Sequence, residues 1–180
     1  MDTFARTIPT KPVTIYAAAK LSLYLVAQQM TAAAGANLAW ARFFYLYGPT
    51  EDRRRLVPAV MTALARNERF AATAGEQVRD YLHIEDAADA LAVMTEQSAS
   101  GAYNVCSGVP LTLKALLETI GRVVGKPHLI DYGATPYRDW EPMFICGDNS
   151  RLRALGWAPH YSLEEGIQHT YLRLSAGQWD

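Results

Sequence analysis

Tyr16 and Lys20 are the pair in this chain whose types and spacing suit proton-transfer chemistry. They bracket the stretch Tyr16-Ala-Ala-Ala-Lys20. A spacing of four puts both side chains on one helix face, about one turn apart. A phenol there can pass a proton to or from an alcohol or ketone oxygen, and an ammonium beside it favours the phenolate. The bland alternative is a packed tyrosine beside a solvated lysine, because the chain has 10 tyrosines and such pairs arise by accident.

The elements that must position this pair follow from the pattern along the chain. Residues 1–11 are polar and irregular, with Pro9 and Pro12 framing a loop and Pro12 suited to a first helical turn. A helix over 13–34 carries an apolar side of Leu21, Tyr24, Leu25 and Val26 and stops at Gly35. Leu38 to Phe44 is a buried strand, broken into a loop by Tyr47-Gly48-Pro49. A helix is expected over 54–66, a short strand over 70–74, a strand over 78–84 and an alanine-rich helix over 85–97. Glu85, Asp86 and Asp89 then sit at the positive end of that last helix. Ala102 to Cys106 is a strand, and Thr112 caps a helix to Val124 with Gly125 beyond it. Leu129 to Asp131 and Met143 to Cys146 are strand candidates around a polar, aromatic loop over 133–142. Asp148 or Ser150 caps a short helix, and Ser162 with Glu165 forms a capping box for the last one. Alternating strands and helices make the class α/β.

Composition excludes several functions. The 180 residues suit one domain with a sizeable core, and half of them are hydrophobic. A net charge of −1 gives no reason to expect nucleic acid or an anionic membrane as partner. Arg53 to Arg55, preceded by Glu51 and Asp52, is a solvated helix start rather than a basic patch. Cys106 and Cys146 support neither a metal site nor a disulfide framework, and a reduced cytoplasm fits. The first residues lack a signal-peptide core, and no run approaches the roughly 20 apolar residues of a membrane span. No Gly-x-Gly-x-x-Gly turn and no Gly-Lys-Ser/Thr loop is found, so no phosphate-cradling glycine turn can be assigned.

Five motifs in register nonetheless carry a resemblance. Tyr16-Ala-Ala-Ala-Lys20 is followed by Arg42-Phe-Phe-Tyr-Leu-Tyr-Gly-Pro49, Arg79-Asp-Tyr-Leu-His-Ile-Glu-Asp86, Gly101-Ala-Tyr-Asn-Val-Cys-Ser-Gly108 and Leu155-Gly-Trp157. In this order the chain resembles the extended short-chain dehydrogenase/reductases, the NAD(P)-dependent nucleotide-sugar epimerases, dehydratases and ketoreductases. The resemblance covers that family's second half; the glycine-rich loop and a catalytic Ser or Thr would lie upstream of Met1. It implies a partial Rossmann-like fold plus a small α/β substrate domain. Residues 1–50 would be the remaining part of the cofactor domain and 51–180 mainly the substrate domain, with about 76–100 returning to the cofactor sheet.

The resemblance also implies roles. Tyr16 matches the acid/base tyrosine and Lys20 the lysine that holds the nicotinamide ribose of NAD or NADP. Tyr47, Gly48 and Pro49 match the segment closing over the nicotinamide. Arg79 matches the arginine that pairs with the substrate diphosphate, where a guanidinium fork suits the anion. Arg138 matches a second such arginine. Tyr45 stands where many members have an asparagine that helps hold the sugar nucleotide, which points to a divergent sugar pocket. The Phe-Tyr-Leu-Tyr-Gly-Pro version resembles members that reduce 4-keto-6-deoxy sugars. A homodimer through the Tyr16 helix is the expected assembly.

Each assignment has a plainer counterpart. Asp80, Glu85 and Asp86 offer Arg79 an internal ion pair, and His83 on a strand reads as packed rather than as a base. Arg42 reads as structural, and Tyr137 and Trp140 as a mobile aromatic loop or as stacking partners for a base. The competing whole-chain reading is a non-catalytic nucleotide-sugar-binding remnant, or a truncated reading frame. An isolated chain of this kind is expected to be inactive, and marginal or self-associating because strand edges and apolar helix faces lack cover.

Overall fold

The computed structural model describes residues 12–177; the expected irregular stretch over 1–11 lies outside them. Helix α1 (Ile15–Ala33) is capped by the Thr14 side chain, which accepts from the Ala17 N–H at 3.1 Å. Pro12 therefore precedes the helix instead of opening it. The chain then runs through β1 (Ala39–Phe43) directly into β2 (Tyr45–Tyr47). Where a loop is expected after Phe44, Tyr47 is instead the last residue of a strand, and the break falls at Gly48.

That continuous stretch changes partner midway. β1 lies parallel to β6 (Gly101–Val105), and β2 lies parallel to β5 (Tyr81–His83). The expected strand over 78–84 is split in two. β4 (Val78–Arg79) pairs antiparallel with β7 (Leu111–Thr112), a strand that the sequence pattern did not reveal. The split occurs because Asp80 turns its side chain inward. Its carboxylate is fully buried and accepts from the Ser107 N–H (2.8 Å), the Ser107 hydroxyl (2.7 Å), the Gly108 N–H (3.0 Å) and the Gly147 N–H (3.1 Å). Donors from two chain segments, 107–108 and 147, thus compensate a charge that would otherwise be costly in the interior. Met143 to Cys146 does not form the expected strand; only Phe144 bridges Val78 there. β3 (Phe70–Ala71) pairs parallel with β8 (Ile130–Asp131).

Two cores hold these pieces. The first gathers α2 (Leu56–Ala65), α4 (Leu113–Val124) and α6 (Leu163–Ser175) around Met61, Leu64, Leu116, Leu117, Ile120 and Ile167, all fully buried. Truncating such a leucine to alanine costs about 2–5 kcal/mol. The second gathers α3 (Ile84–Glu96), β6, Leu152 and Trp157. Thr112 caps α4, Gly125 ends it at φ +79, and Ser162 with Glu165 completes the capping box of α6. For α5 (Ser150–Arg153) the N-cap is Asn149, while Asp148 accepts from the Ser150 N–H at 2.9 Å. α1 is different. A stripe of Ala17, Leu21, Tyr24, Ala27 and Thr31 is half-buried, Tyr24 packs on Trp40 at 5.1 Å, and no residue of the helix is buried. Leu25 and Val26, expected to face the core, are exposed. No helix among the described residues is long and apolar enough to cross a membrane.

Candidate functional site

A cavity of about 1080 Å³ opens beyond the end of β2. One wall is the strand and turn Tyr45 to Pro49, another is Arg79 with Tyr81, and a third is the loop carrying Tyr137, Arg138, Trp140 and Glu141. Six of the eight residues singled out in the sequence meet here: Tyr45, Tyr47, Gly48, Pro49, Arg79 and Arg138. Tyr16 and Lys20 are not part of this lining. They lie on α1, where Tyr16 is 73% exposed and the Lys20 Nζ sits 5.6 Å from the centre of its ring.

Arg79 is held from several sides. Only 4% of it is exposed. Its Nη1 donates to the Val78 carbonyl at 2.8 Å and its guanidinium lies over the Tyr45 ring, 5.5 Å from the centre. Its ion-pair partner is Glu141 from the 133–142 loop, not the expected Asp80, Glu85 or Asp86. Those three are occupied elsewhere. Asp80 binds the 107–108 and 147 backbone, Glu85 accepts from the Tyr161 hydroxyl at 2.6 Å, and Asp86 accepts from the His160 N–H at 2.8 Å. Tyr45 also packs on Tyr81 at 5.6 Å, so the residue standing in the expected asparagine position serves as a platform for the arginine. Arg138 stacks on Trp140 at 5.6 Å, and the Tyr137 hydroxyl accepts from the Glu76 N–H at 3.1 Å. The aromatic loop is thereby tied to the wall opposite the strand.

Tyr47 closes the floor. It is buried under α6, where any side chain at Gly166 would collide with its hydroxyl. Burial pushes the Tyr47 and Tyr81 phenols up, with nearby Asp86 adding to the effect at Tyr47. Behind Tyr47, His83 accepts from the Glu85 N–H through Nδ1 at 3.3 Å and faces His169 through Nε2 at 3.4 Å. With Nδ1 accepting, the neutral His83 ring carries its proton on Nε2 and directs it at His169. The His83–Glu85–His169 cluster is therefore built as a hydrogen-bonded group, since a metal at Nε2 would require the opposite tautomer. Cys106 and Cys146 are buried free thiols, and burial first, then Asp80, pushes both up, Cys146 to about 11.

Sequence reasoning missed Glu51. The stretch 51–55 is only partly a solvated helix start: Arg54 grips the exposed Asp52 and holds its carboxyl below the usual range, and Glu51, Asp52 and Arg55 line the cavity. Burial pushes the Glu51 carboxyl up to about 7, against a smaller opposing pull from Arg55. Arg42, read as structural, packs over the Tyr24 ring at 5.7 Å.

Parallel strands fed by helices, with a cavity off a strand end flanked by arginines and aromatics, define an α/β protein with a candidate ligand cavity. Residues 2–106 match the model of the NAD dependent epimerase/dehydratase family, and the chain belongs to that family, among the extended short-chain dehydrogenase/reductases. It is 28% identical over 140 residues to CDP-abequose synthase of Salmonella typhimurium, a match covering 74% of this chain and 47% of that protein. It is 32% identical over 168 residues to the probable GDP-L-fucose synthase 1 of Oryza sativa subsp. japonica, covering 87% of this chain and 50% of that one. The chain thus spans about half the length of the relatives it matches. The fold is similar to part of dTDP-glucose 4,6-dehydratase from Bacillus anthracis in complex with NAD, with TM-score 0.88 and 22% identity over 99% of this chain and 58% of that one. It is also similar to a UDP-N-acetylglucosamine 4-epimerase from Methanobrevibacter ruminantium in complex with UDP-N-acetylmuramic acid, at TM-score 0.86 and 23% identity over 97% of this chain and 60% of that one. The Rossmann-like fold class follows from these neighbours.

Proposed function

We propose that this chain carries the substrate cavity and the acid/base tyrosine of a nucleotide-sugar epimerase, dehydratase or ketoreductase. The observation that carries the reading is the convergence of Arg79, Arg138, Tyr45 and the Tyr47-Gly48-Pro49 turn on one cavity. A nucleotide sugar offers a diphosphate for the two guanidiniums and a flat base for the exposed Trp140 ring. Aromatic stacking beneath Arg79 holds its fork in place, which lowers the ordering cost of gripping an anion.

The residues present fit a nicotinamide cofactor in part. Tyr16 and Lys20 lie side by side on an open helix face and would engage its ribose end, while no residue of the sequence forms a glycine turn for its pyrophosphate. A bound NAD or NADP supplies or takes a hydride at the sugar carbon. Tyr16 would pass the proton at the oxygen on that carbon, with the Lys20 ammonium beside it. The activity accordingly belongs to an assembly that also contains a dinucleotide-binding βαβ unit. Residues up to about 50 and about 76–100 belong with that cofactor domain in this reading, and the remainder mainly with the substrate. The exposed apolar residues of the Tyr16 helix, Leu23, Val26 and Met30 among them, suit a second copy.

The test is calorimetry with UDP-, CDP-, GDP- and dTDP-sugars on wild type and on Arg79→Lys. The lysine keeps the charge and loses the fork, and binding of the preferred ligand should weaken about tenfold. Equal affinities in the two proteins would remove Arg79 from the site. A non-catalytic binding remnant predicts the same loss without turnover, so Tyr16→Phe in the complete enzyme separates the two. Catalysis predicts a fall of orders of magnitude in kcat with KM little changed.

A further inference from the structure

Glu51 carries a carboxylate oxygen that finds no hydrogen-bond partner among the described residues. It follows the Gly48-Pro49 turn and lines the cavity, and its Oε2 is enclosed without a hydrogen-bond partner. The groups around it are Asp52 and Arg55 on its own segment and Tyr81 from β5. Arg55 does not satisfy it; no ion pair joins them, and burial outweighs the attraction. The residue before it, Thr50, has φ +66. That is a left-handed conformation a β-branched residue adopts only when its surroundings impose it. The chain therefore accepts a strained turn and then a desolvated acid, both facing the cavity.

An enclosed acceptor with no donor is complementary to a ligand that brings a donor. A diphosphate cannot be that ligand, because two anions would meet without solvent. A neutral polyol can. We propose that Glu51 is a substrate-specificity residue, its carboxylate accepting a hydrogen bond from a hydroxyl of the sugar of the bound nucleotide sugar. The assignment rests on the nucleotide-sugar reading of the cavity and adds to it the residue that reads the sugar. Arg79 and Arg138 hold the charged part of the substrate, and Glu51, next to the turn that faces the nicotinamide in that reading, holds the neutral part.

The test compares each nucleoside diphosphate with its sugar conjugate: UDP and UDP-glucose, CDP and CDP-glucose, GDP and GDP-mannose, dTDP and dTDP-glucose. Affinities are measured by calorimetry at pH 8 for wild type and Glu51→Gln, a variant that keeps the shape and relieves the buried charge and so should fold. For the conjugate that binds most tightly, Glu51→Gln should weaken binding about fivefold to tenfold, the difference between a charged and a neutral acceptor. Its sugarless partner should weaken by less than about twofold, or tighten as a repelling charge is removed. Equal weakening of both, or of neither, overturns the assignment while the diphosphate site stands. If no diphosphate of either kind binds wild type, the reading of the cavity falls first and the assignment with it.

Discussion

A half-buried acid kept for a ligand should cost the empty protein stability, and Glu51 lets that cost be measured. Its carboxyl rises from the ordinary 4.5 to about 7 on folding, chiefly through burial. At about 1.4 kcal/mol for each pKa unit that rise corresponds to about 3 kcal/mol, and solvent access to part of the carboxyl reduces it to about 1.5. The direction is fixed by linkage. Below pH 4.5 the group is protonated folded or unfolded and costs nothing; between 4.5 and 7 only the folded form keeps its proton; above 7 the folded state holds the charge and bears the full penalty. Glu51→Gln should therefore be worth about 1.5 kcal/mol more to stability at pH 8 than at pH 4.5. Urea unfolding of the two proteins at both pH values measures this, with unchanged m-values as the check that only stability moved. A gain that is the same at both pH values, or larger in acid, would refute the argument that burial raises this group.

Other consequences follow from the same geometry. Asp80→Ala should cost about 3 kcal/mol or more by leaving the Ser107, Gly108 and Gly147 N–H groups buried without an acceptor, and Asp80→Asn should cost nearly as much because an amide turns donor toward donor. Both are read by urea denaturation. Burial lowers the His83 pKa, so folding stability is complete above about 6.5 and is lost as pH falls toward the depressed value; His83→Phe should flatten that acid limb in thermal melts at pH 5 to 7. Glu141 competes with any anion for Arg79, so Glu141→Gln should tighten diphosphate binding by about threefold to tenfold in calorimetry at low salt. Thr50→Gly removes a left-handed β-branched residue and should raise stability by about 0.5 kcal/mol, the strain relieved less the entropy glycine gains when unfolded.

Much of this was legible in the sequence because local signals agreed with the fold. Thr112 with Gly125, and Ser162 with Glu165, marked two helices by the chemistry of their ends, and both stand where expected. The motif residues from Tyr45 to Pro49, with Arg79 and Arg138, could be placed by resemblance, and the cavity gathers them. What could not be read depended on contacts between distant segments. The break between β4 and β5 exists because Asp80 finds donors at 107–108 and 147, more than twenty residues away. β7 forms only because β4 lies opposite it. Glu51 in an Asp- and Arg-rich stretch has the composition of a solvated turn, and its burial comes from the cavity walls around it. The apolar face of α1 looked like a core face and is open, because periodicity reports that a helix has an apolar side and not what covers it.

If the cavity of this chain holds a nucleotide sugar, the ligand must perturb the residues that line it. Chemical-shift mapping of the labelled protein during titration with UDP-, CDP-, GDP- and dTDP-sugars tests it most directly. One of the four should shift a contiguous set of signals from Tyr45, Gly48, Glu51, Arg79, Tyr81 and Arg138, leaving His169 and the α4 core unmoved. Shifts from none of the four, or shifts centred away from that set, would contradict it.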